Sequence, residues 1–248
     1  GVEKAVEIFC NTFKTKGRIS VFGDYDVDGI MSSVIIKELC NYLNLDCKVF
    51  LPLRNKTGYG LNEKSVEEFK KYIKEPTDLL FLLDCGTNNE KEIIELKNFG
   101  IKNIIVIDHH IVNQEKISNS ADVLINWHLC NFFETCATGE VFQFIRGLRW
   151  VSKKINPIEF LSYASIGIIA DVSPLNQYNR ILVKHGLKRQ SLNYITSNGL
   201  NVLIRKSKIY NEDLSTDDIS FKIAPRINAP GRISTPNISF NLIIERDI

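Results

Sequence analysis

Paired cysteines are missing from this sequence. Its six cysteines (Cys10, Cys40, Cys47, Cys85, Cys130 and Cys136) form no CxxC pair and show no zinc-ligand spacing. That removes the usual sequence grounds for a zinc ribbon or a disulfide framework, and the thiols read as reduced and structural, as in a cytosolic protein. Long apolar runs are missing too. No stretch approaches the roughly 20 apolar residues of a membrane span, and no charged-then-apolar start resembles a signal peptide. No membrane association is expected, and the cytoplasm is the expected location. An initiator methionine is also absent: the chain begins at Gly1, and Val2 to Phe13 already carries a helical apolar pattern. An excised or processed chain is therefore expected. Nor does one sign of charge dominate, since 31 Lys and Arg face 29 Asp and Glu for a net charge of +2. A strongly basic nucleic-acid binder would stand out by its charge. This balance is silent on DNA, because an acidic metal site can cancel a basic groove. Internal repeats and low-complexity tracts are absent as well.

What is present is enough apolar material for a sizeable core, 44% of 248 residues. The first half alternates short apolar runs with helix-period stretches. Strands are expected at Arg18–Phe22, Cys47–Leu51, Leu79–Leu83, Ile104–Ile107 and Val123–Ile125. Helices are expected at Ile30–Leu43, Glu63–Ile73 and Lys91–Phe99. Buried strands alternating with amphipathic helices predict an α/β fold, a parallel sheet with helices on both faces. After about Glu134 the pattern turns mainly helical, through Glu140–Val151, Ile158–Ile169 and Arg180–Gln190. From Ser191 the chain is richer in turn formers and reads as a linker. The expected division is a catalytic domain over 1–190 and a connecting region over 191–248.

Ligand sites in such sheets lie outside the carboxyl ends of the strands. The first predicted strand is followed by Gly23-Asp24-Tyr25-Asp26-Val27-Asp28-Gly29, the third by Asp84-Cys85-Gly86-Thr87-Asn88 and the fourth by Asp108-His109-His110. If the strands run parallel, five acids and two histidines meet on one edge. Unneutralised, such carboxylates repel one another and shift their pKa values upward. Divalent cations are the simplest remedy, and carboxylate with imidazole suits manganese, magnesium or iron. Asp24, Asp26 and Asp28 alternate, so a turn can point two or three of them into one volume. Each piece has a plainer reading. The DxDxDG run resembles the start of a calcium loop, but position twelve is Ile35 where a Glu is required. Asp84 alone could cap the following helix, and a His-His pair alone is ordinary on surfaces. The joint occurrence carries the argument.

These residues resemble the motifs of the DHH phosphoesterases, in the form found in RecJ-type exonucleases. Gly23–Gly29 looks like the first motif, Asp84 the second, Asp108-His109-His110 the third and Ala170-Asp171-Val172-Ser173-Pro174-Leu175 the fourth, followed by Asn179-Arg180. Leu53-Arg54 with Gly58-Tyr59-Gly60-Leu61 is similar to a segment lining the nucleotide site. Pro225-Arg226-Ile227-Asn228-Ala229-Pro230-Gly231-Arg232 is similar to the signature leading toward a DHHA1 domain. One departure stands out: many members carry a metal-binding His two residues before the first Asp, and here that position is Phe22.

The resemblance implies a metal-dependent phosphodiester hydrolase, a 5′-to-3′ single-stranded DNA exonuclease that releases 5′-mononucleotides in DNA repair and recombination. It implies two divalent ions, Mn2+ or else Mg2+, roughly 3.5–4 Å apart. Asp26 and Asp84, joined by Asp24, would hold one; Asp28, Asp84, His109 and Asp171 the other, with Asp84 bridging. His110 would face the phosphate, and Asp108 would orient the histidines. Arg54, Arg226 and Arg232 would bind substrate phosphates, for which the guanidinium fork is suited; an ordinary surface salt bridge is their alternative. Ser32 and Ser33 open the helix after the first motif, where amide donors could also meet an anion. Tyr59 either stacks on a base or packs on its own turn, and His128 beside Trp127 reads as structural. Single-stranded DNA is the expected partner of a monomer, with a helicase or a single-strand binding protein as further candidates. Two rivals remain: a phosphoesterase of the same core acting on short oligonucleotides, cyclic dinucleotides or pyrophosphate, and a non-catalytic DNA-binding scaffold. Retention of Asp26, Asp28, Asp84, His109, His110 and Asp171 argues against the second.

Overall fold

The computed structural model describes residues 1–191, 197–209 and 214–246. Five strands, β1 (Ile19–Gly23), β2 (Cys47–Phe50), β3 (Leu79–Leu83), β4 (Asn103–Ile107) and β5 (Val123–Ile125), form one sheet in the order β2-β1-β3-β4-β5. Every neighbouring pair is parallel. Strands such as Leu79-Leu80-Phe81-Leu82-Leu83 are fully buried because both faces are covered. Successive side chains alternate between two cores. Leu79, Phe81, Leu83, Ile105 and Ile107 join the larger one, while Phe22, Leu80, Leu82, Ile104 and Val106 join the smaller.

The helices through the first half are α1 (Val2–Lys14), α2 (Val27–Tyr42), α3 (Arg54–Thr57), α4 (Glu63–Ile73) and α5 (Glu90–Asn98). The smaller core is closed by Val66, Phe69 and Ile73 of α4 with Ile93 and Leu96 of α5. The larger is closed by α1, α2 and α6 (Ala137–Val151). Helix α2 is buried nearly all round because α6 and α7 (Leu161–Ala170) pack on it as well as the sheet. Several helix starts precede the pattern reading, α8 (Gln177–Ser191) by three residues and α5 by one, and two of the differences have a visible cap as their cause. Helix α2 begins at Val27 rather than Ile30 because the Asp26 carboxylate caps it, accepting from Gly29 N at 3.1 Å. Helix α6 begins at Ala137 rather than Glu140 because a carboxylate from elsewhere caps it, as described below. The predicted helix over Ile158–Ile169 divides into a 3-10 turn, Pro157–Phe160, and α7.

The largest difference lies in the tail. After α8 (Gln177–Ser191), the chain forms α9 (Asn198–Lys206), the short α10 (Thr216–Asp218), a π-helical turn Ile219–Ile223, α11 (Ala224–Ile233) and α12 (Asn237–Ile244). The predicted tail residues 192–196, 210–213 and 247–248 lie outside the described residues. The turn formers that suggested a linker sit at caps instead: Ser197 caps α9, Ser215 caps α10, and Pro225 opens α11. Leu200, Ile219, Ile223, Ile227, Phe240 and Ile243 are buried in the larger core, and α12 lies against α2. Burying each such side chain contributes about 1.5–3 kcal/mol as an upper figure. Six of them then match or exceed the net stability of an ordinary domain, about 5–15 kcal/mol. A chain ending at residue 190 is therefore expected to lose cooperative unfolding. A sigmoidal thermal melt of the 1–190 fragment by near-UV circular dichroism would contradict this.

Candidate metal centre

The strand order reverses direction between β1 and β3, and at such a switch point a crevice opens at the carboxyl ends of the strands. The first two acid-bearing loops leave the sheet there. Asp24 and Asp26 follow β1, Asp84 follows β3 and Asp108-His109-His110 follows β4. Asp171 arrives from the other side, as the C-cap of α7. The close approach is steric as well as electrostatic: a Cβ on Gly29 would meet the Asp24 carbonyl oxygen at 2.5 Å, so only glycine lets α2 seat against this loop. Asp84 itself sits in the left-handed region, φ 59°, uncommon for a residue with a side chain. It does not cap the helix that follows; the N-cap of α5 is Asn89.

Three overlapping groups result, each with ligand atoms within 4.8 Å of one another: Asp24, Asp26 and Asp84; Asp28, His109 and Asp171; Asp84, His109 and His110. His109 Nε2 lies 3.3 Å from Asp84 Oδ1, 3.7 Å from Asp28 Oδ2 and 3.8 Å from Asp171 Oδ1. The contact with Asp84 is close but not aligned as a hydrogen bond, and Asp84 Oδ1 is buried without a hydrogen-bond partner. Asp84 thus belongs to two of the three groups, and His109 joins it to the third. Phe22 points away from them, into the smaller core, with its ring 5.3 Å from Phe50 and 5.7 Å from Phe69. Asp24 occupies the space beside Asp26 and Asp84, and Gly60 N donates to it at 3.3 Å.

The electrostatics are those of carboxylates crowded out of water. Burial, then the charges of Asp28, Asp26 and Asp24, raise the Asp84 carboxyl well above its ordinary value. Burial and Asp26 push Asp24 up to about 6; burial and Asp28 push Asp171 up to about 6. Burial and Asp28 also raise Asp26. An orphaned buried carboxylate oxygen amid like charges, with an imidazole among the donors, fits divalent cations with mixed oxygen and nitrogen ligands.

Around this cluster lies a shell of fixed contacts. Asp108 Oδ1 is 2.7 Å from His110 Nδ1, and Asp108 Oδ2 accepts from Thr87 N at 2.9 Å. Burial alone would raise Asp108, but the bonds from His110 and Thr87 outweigh it and the carboxyl is lowered. The same bond lifts His110 up to about 9, so an imidazolium is held against a carboxylate. Asp108 therefore orients His110; no bond joins it to His109 among the described contacts. Buried Asn126 donates to Thr87 Oγ1 at 3.0 Å and to the His110 carbonyl at 2.9 Å, clamping the loop from behind. Asp28 has a second role that its spacing did not reveal. Its carboxylate accepts from Ala137 N at 2.8 Å, from Thr138 N at 2.9 Å and from Thr138 Oγ1, and so caps α6. Ser32 and Ser33 are fully buried. Ser32 pairs with Thr138 Oγ1 and Ser33 donates to the Gly29 carbonyl, so neither faces an anion.

The arginines stand on neighbouring elements. Arg54, on α3, lies over the Tyr59 ring at 4.5 Å and also bonds its hydroxyl. Tyr59 is 62% exposed, with its ring 5.8 Å from Tyr25, so it packs on its own turn and still offers a face to solvent. Helix α11 rests against α2 and α3, and a Cβ on its Gly231 would meet the Tyr25 carbonyl oxygen at 3.0 Å. That brings Arg232 beside the first motif. Arg226 is also exposed and donates to the Lys222 carbonyl within its own helix. His128 lines a cleft together with His109, His110 and Asp171, a position that no motif signals.

Two measurements on chelator-treated protein follow. Raised carboxyls give stability that is fully present below the unfolded value of 3.8 and is lost as pH climbs through about 6. His110 acts in the same direction, fully stabilising below 6.5 and losing that contribution through about 9. Asp108 acts oppositely, but its loss lies below its unfolded value of 3.8. The metal-free protein is expected to melt lower near pH 7 than near pH 5, and Mn2+ to raise the melting temperature more at the higher pH; equal melting at both would contradict this. At pH 7 without metal, Asp84→Asn is expected to stabilise. Asp28→Ala is expected to cost about 1–3 kcal/mol by orphaning buried amides; urea titration separates the two signs.

Residues 18–168 match the DHH family, N-terminal domain. The chain is 30% identical over 260 residues to the single-stranded-DNA-specific exonuclease RecJ of Escherichia coli, covering 98% of this chain and 44% of that protein. It is also 30% identical over 251 residues to RecJ of Thermus thermophilus, covering 100% of this chain and 35% of that one. The chain thus spans less than half of either relative. A crystal structure of exonuclease RecJ bound to manganese superposes with a TM-score of 0.87 at 30% identity, covering all of this chain and 61% of that one. With the acid-bearing loops in family order at the carboxyl ends of a parallel sheet, the chain belongs to the DHH family.

Proposed function

We propose that this chain is the catalytic core of a two-metal phosphodiesterase, a 5′-to-3′ single-stranded DNA exonuclease that releases 5′-mononucleotides. The observation that carries the reading is Asp84, a buried carboxylate common to two of the three ligand groups, 3.3 Å from the His109 of the third, with one oxygen left unpartnered. The similarity to single-stranded-DNA-specific exonucleases supports the substrate class; the polarity, a role in DNA repair and recombination, and a cytoplasmic location belong to the proposal. Residues 1–190 carry the proposed metal ligands and His110, and 191–248, packed on the same core, add Arg226 and Arg232 and lead toward a DHHA1-type domain.

In this reading Asp24, Asp26 and Asp84 hold one divalent cation, and Asp28, Asp84, His109 and Asp171 the other, Mn2+ or Mg2+. Bound there, the cations supply Lewis acidity that acidifies water and offsets the charge gathering on phosphorus. The protein's own groups do the rest. Capping α6 holds Asp28 in place, and Ser173 Oγ holds Asp171 Oδ2 at 2.7 Å. His110, kept protonated by Asp108, donates from its other ring nitrogen to a non-bridging or departing oxygen of the phosphate. Arg54, Arg226 and Arg232 neutralise the phosphates of the strand. The enzyme works as a monomer, and a helicase or a single-strand binding protein is the kind of partner that would present single strands to it.

The test is single-stranded DNA labelled at either end, incubated with manganese beside Asp84→Ala. Early release of a labelled mononucleotide from the 5′ end alone, falling at least about 1,000-fold in the variant, is the expected outcome, since bound metals supply several kcal/mol of transition-state stabilisation. Dinucleotides, cyclic dinucleotides and pyrophosphate run in parallel. Cleavage of those alone would replace this substrate assignment, and inertness toward all of them with no bound metal would end the reading.

A further inference from the structure

On the side of the candidate metal centre formed by His109 and Asp171, the surface opens into a cleft of about 420 Å3. Ile111, Trp127, His128 and Val172 are among the residues that line it. Val172 is exposed by 86% and Ile111 by 77%, although both are large apolar side chains. Val172 is also strained. Its φ is 58°, a left-handed conformation that a β-branched residue adopts only when its surroundings impose it. Here the turn is fixed by Val172 N donating to the Ile169 carbonyl at 3.1 Å and Ser173 N to the Ile168 carbonyl at 3.2 Å. No burial of the side chain offsets that strain. Two stacked rings, Trp127 and His128, line the same cleft, with centroids 3.7 Å apart and planes 27° from parallel. Their backbone is held from below: Trp127 N donates to the buried Glu140 carboxylate and His128 N to Asn126 Oδ1. The rings are therefore preorganised, with His128 exposed. No Lys or Arg lines the cleft; His110 stands at its metal-centre end, and Ile111, Trp127, His128 and Val172 supply apolar and aromatic surface that suits a flat neutral group.

We infer that this cleft is a nucleobase subsite, in which the base of a nucleotide flanking the scissile phosphate stacks on the His128–Trp127 pair against Val172 and Ile111. The subsite rests on the proposed exonuclease reading, because continuity with His109, His110 and Asp171 puts a flanking nucleotide at its mouth. Stacking of this kind is tolerant of sequence, since every base presents a π face. The cleft therefore grips single strands without reading them.

Trp150 is the second of two tryptophans and is 91% exposed on α6, so Trp150→Phe leaves Trp127 as the only tryptophan. That protein is titrated, with calcium in place of manganese, against oligo(dT) and against an abasic oligomer of equal length, each carrying a 3′ dye for anisotropy. Oligo(dT) is expected to quench Trp127 emission and the abasic oligomer to leave it unchanged. His128→Ala, added to the same protein, is expected to weaken oligo(dT) about 5- to 150-fold and to leave the abasic oligomer as it was. Binding of oligo(dT) by anisotropy with unchanged Trp127 emission, or equal weakening of both oligomers by His128→Ala, would overturn the subsite and leave the exonuclease reading intact. If neither oligomer binds and the manganese protein cuts no DNA, that reading falls and takes the subsite with it.

Discussion

The arrangement turns on one electrostatic constraint: several carboxylates are packed at the point where β1 and β3 part, with too few protein cations to balance them. Of the groups near enough to matter, His110 is already committed to Asp108, and the arginines stand outward on α3 and α11. Protein interiors tolerate charge only when it is paired, hydrogen-bonded or bound to metal. Where pairing exists, the carboxyl is lowered, as at Asp108. Where it does not, the carboxyl is raised, as at Asp24, Asp84 and Asp171. A neighbouring pair, Asp84 and Asp108, thus divides into an acid left in need of a cation and an acid that fixes a histidine.

The fold is built to hold that unfavourable cluster in place. Asp26 caps α2 and Asp28 caps α6, so two acids of the first motif are tied to the N-termini of helices, where partial positive charge offsets their own. Asp171 has the reverse placement, at the C-terminal end of α7, where the helix offers carbonyl oxygens and negative partial charge. Its raised carboxyl is consistent with that position, although burial and Asp28 lead the causes. Behind the loops, Asn126 joins Thr87 to the His110 backbone with its amide. The acids therefore cannot relax apart, and relief must come from a cation or a proton.

Most of the sheet was legible because its strands are short continuous apolar runs bounded by loops that carry acids. Leu79–Leu83 and Val123–Ile125 were placed to the residue. The clustering of Asp24, Asp26, Asp28, Asp84, Asp108 and both histidines followed from parallel strands alone, and Asp171 came only through likeness to a family motif. What stayed hidden depends on contacts between distant segments. Nothing local says that Asp28 begins a helix more than a hundred residues away, that Asn126 braces His110, or that Trp127 and His128 wall a cleft. The tail misled for a related reason. Ser and Pro mark turns and helix caps alike, and only burial of residues such as Ile219 and Phe240 against the rest of the core distinguishes the two.

Phe22 gives the two halves of the cluster different character. With an aromatic ring turned into the smaller core where many relatives place a histidine, the group of Asp24, Asp26 and Asp84 offers only oxygen. The group of Asp28, His109 and Asp171 adds an imidazole nitrogen. Oxygen-only donors favour hard cations such as magnesium and manganese, whereas imidazole also admits softer ones. An all-carboxylate half also concentrates more negative charge, which strengthens its hold on a dication and weakens it sharply on protonation, since each ligand must lose its proton first. All three members of that half are raised by burial and by neighbouring carboxylates, Asp24 to about 6. In the proposed assignment every donor of the half without histidine is a raised carboxyl that a fall in pH would protonate, and Asp84 would carry that effect to His109, 3.3 Å away.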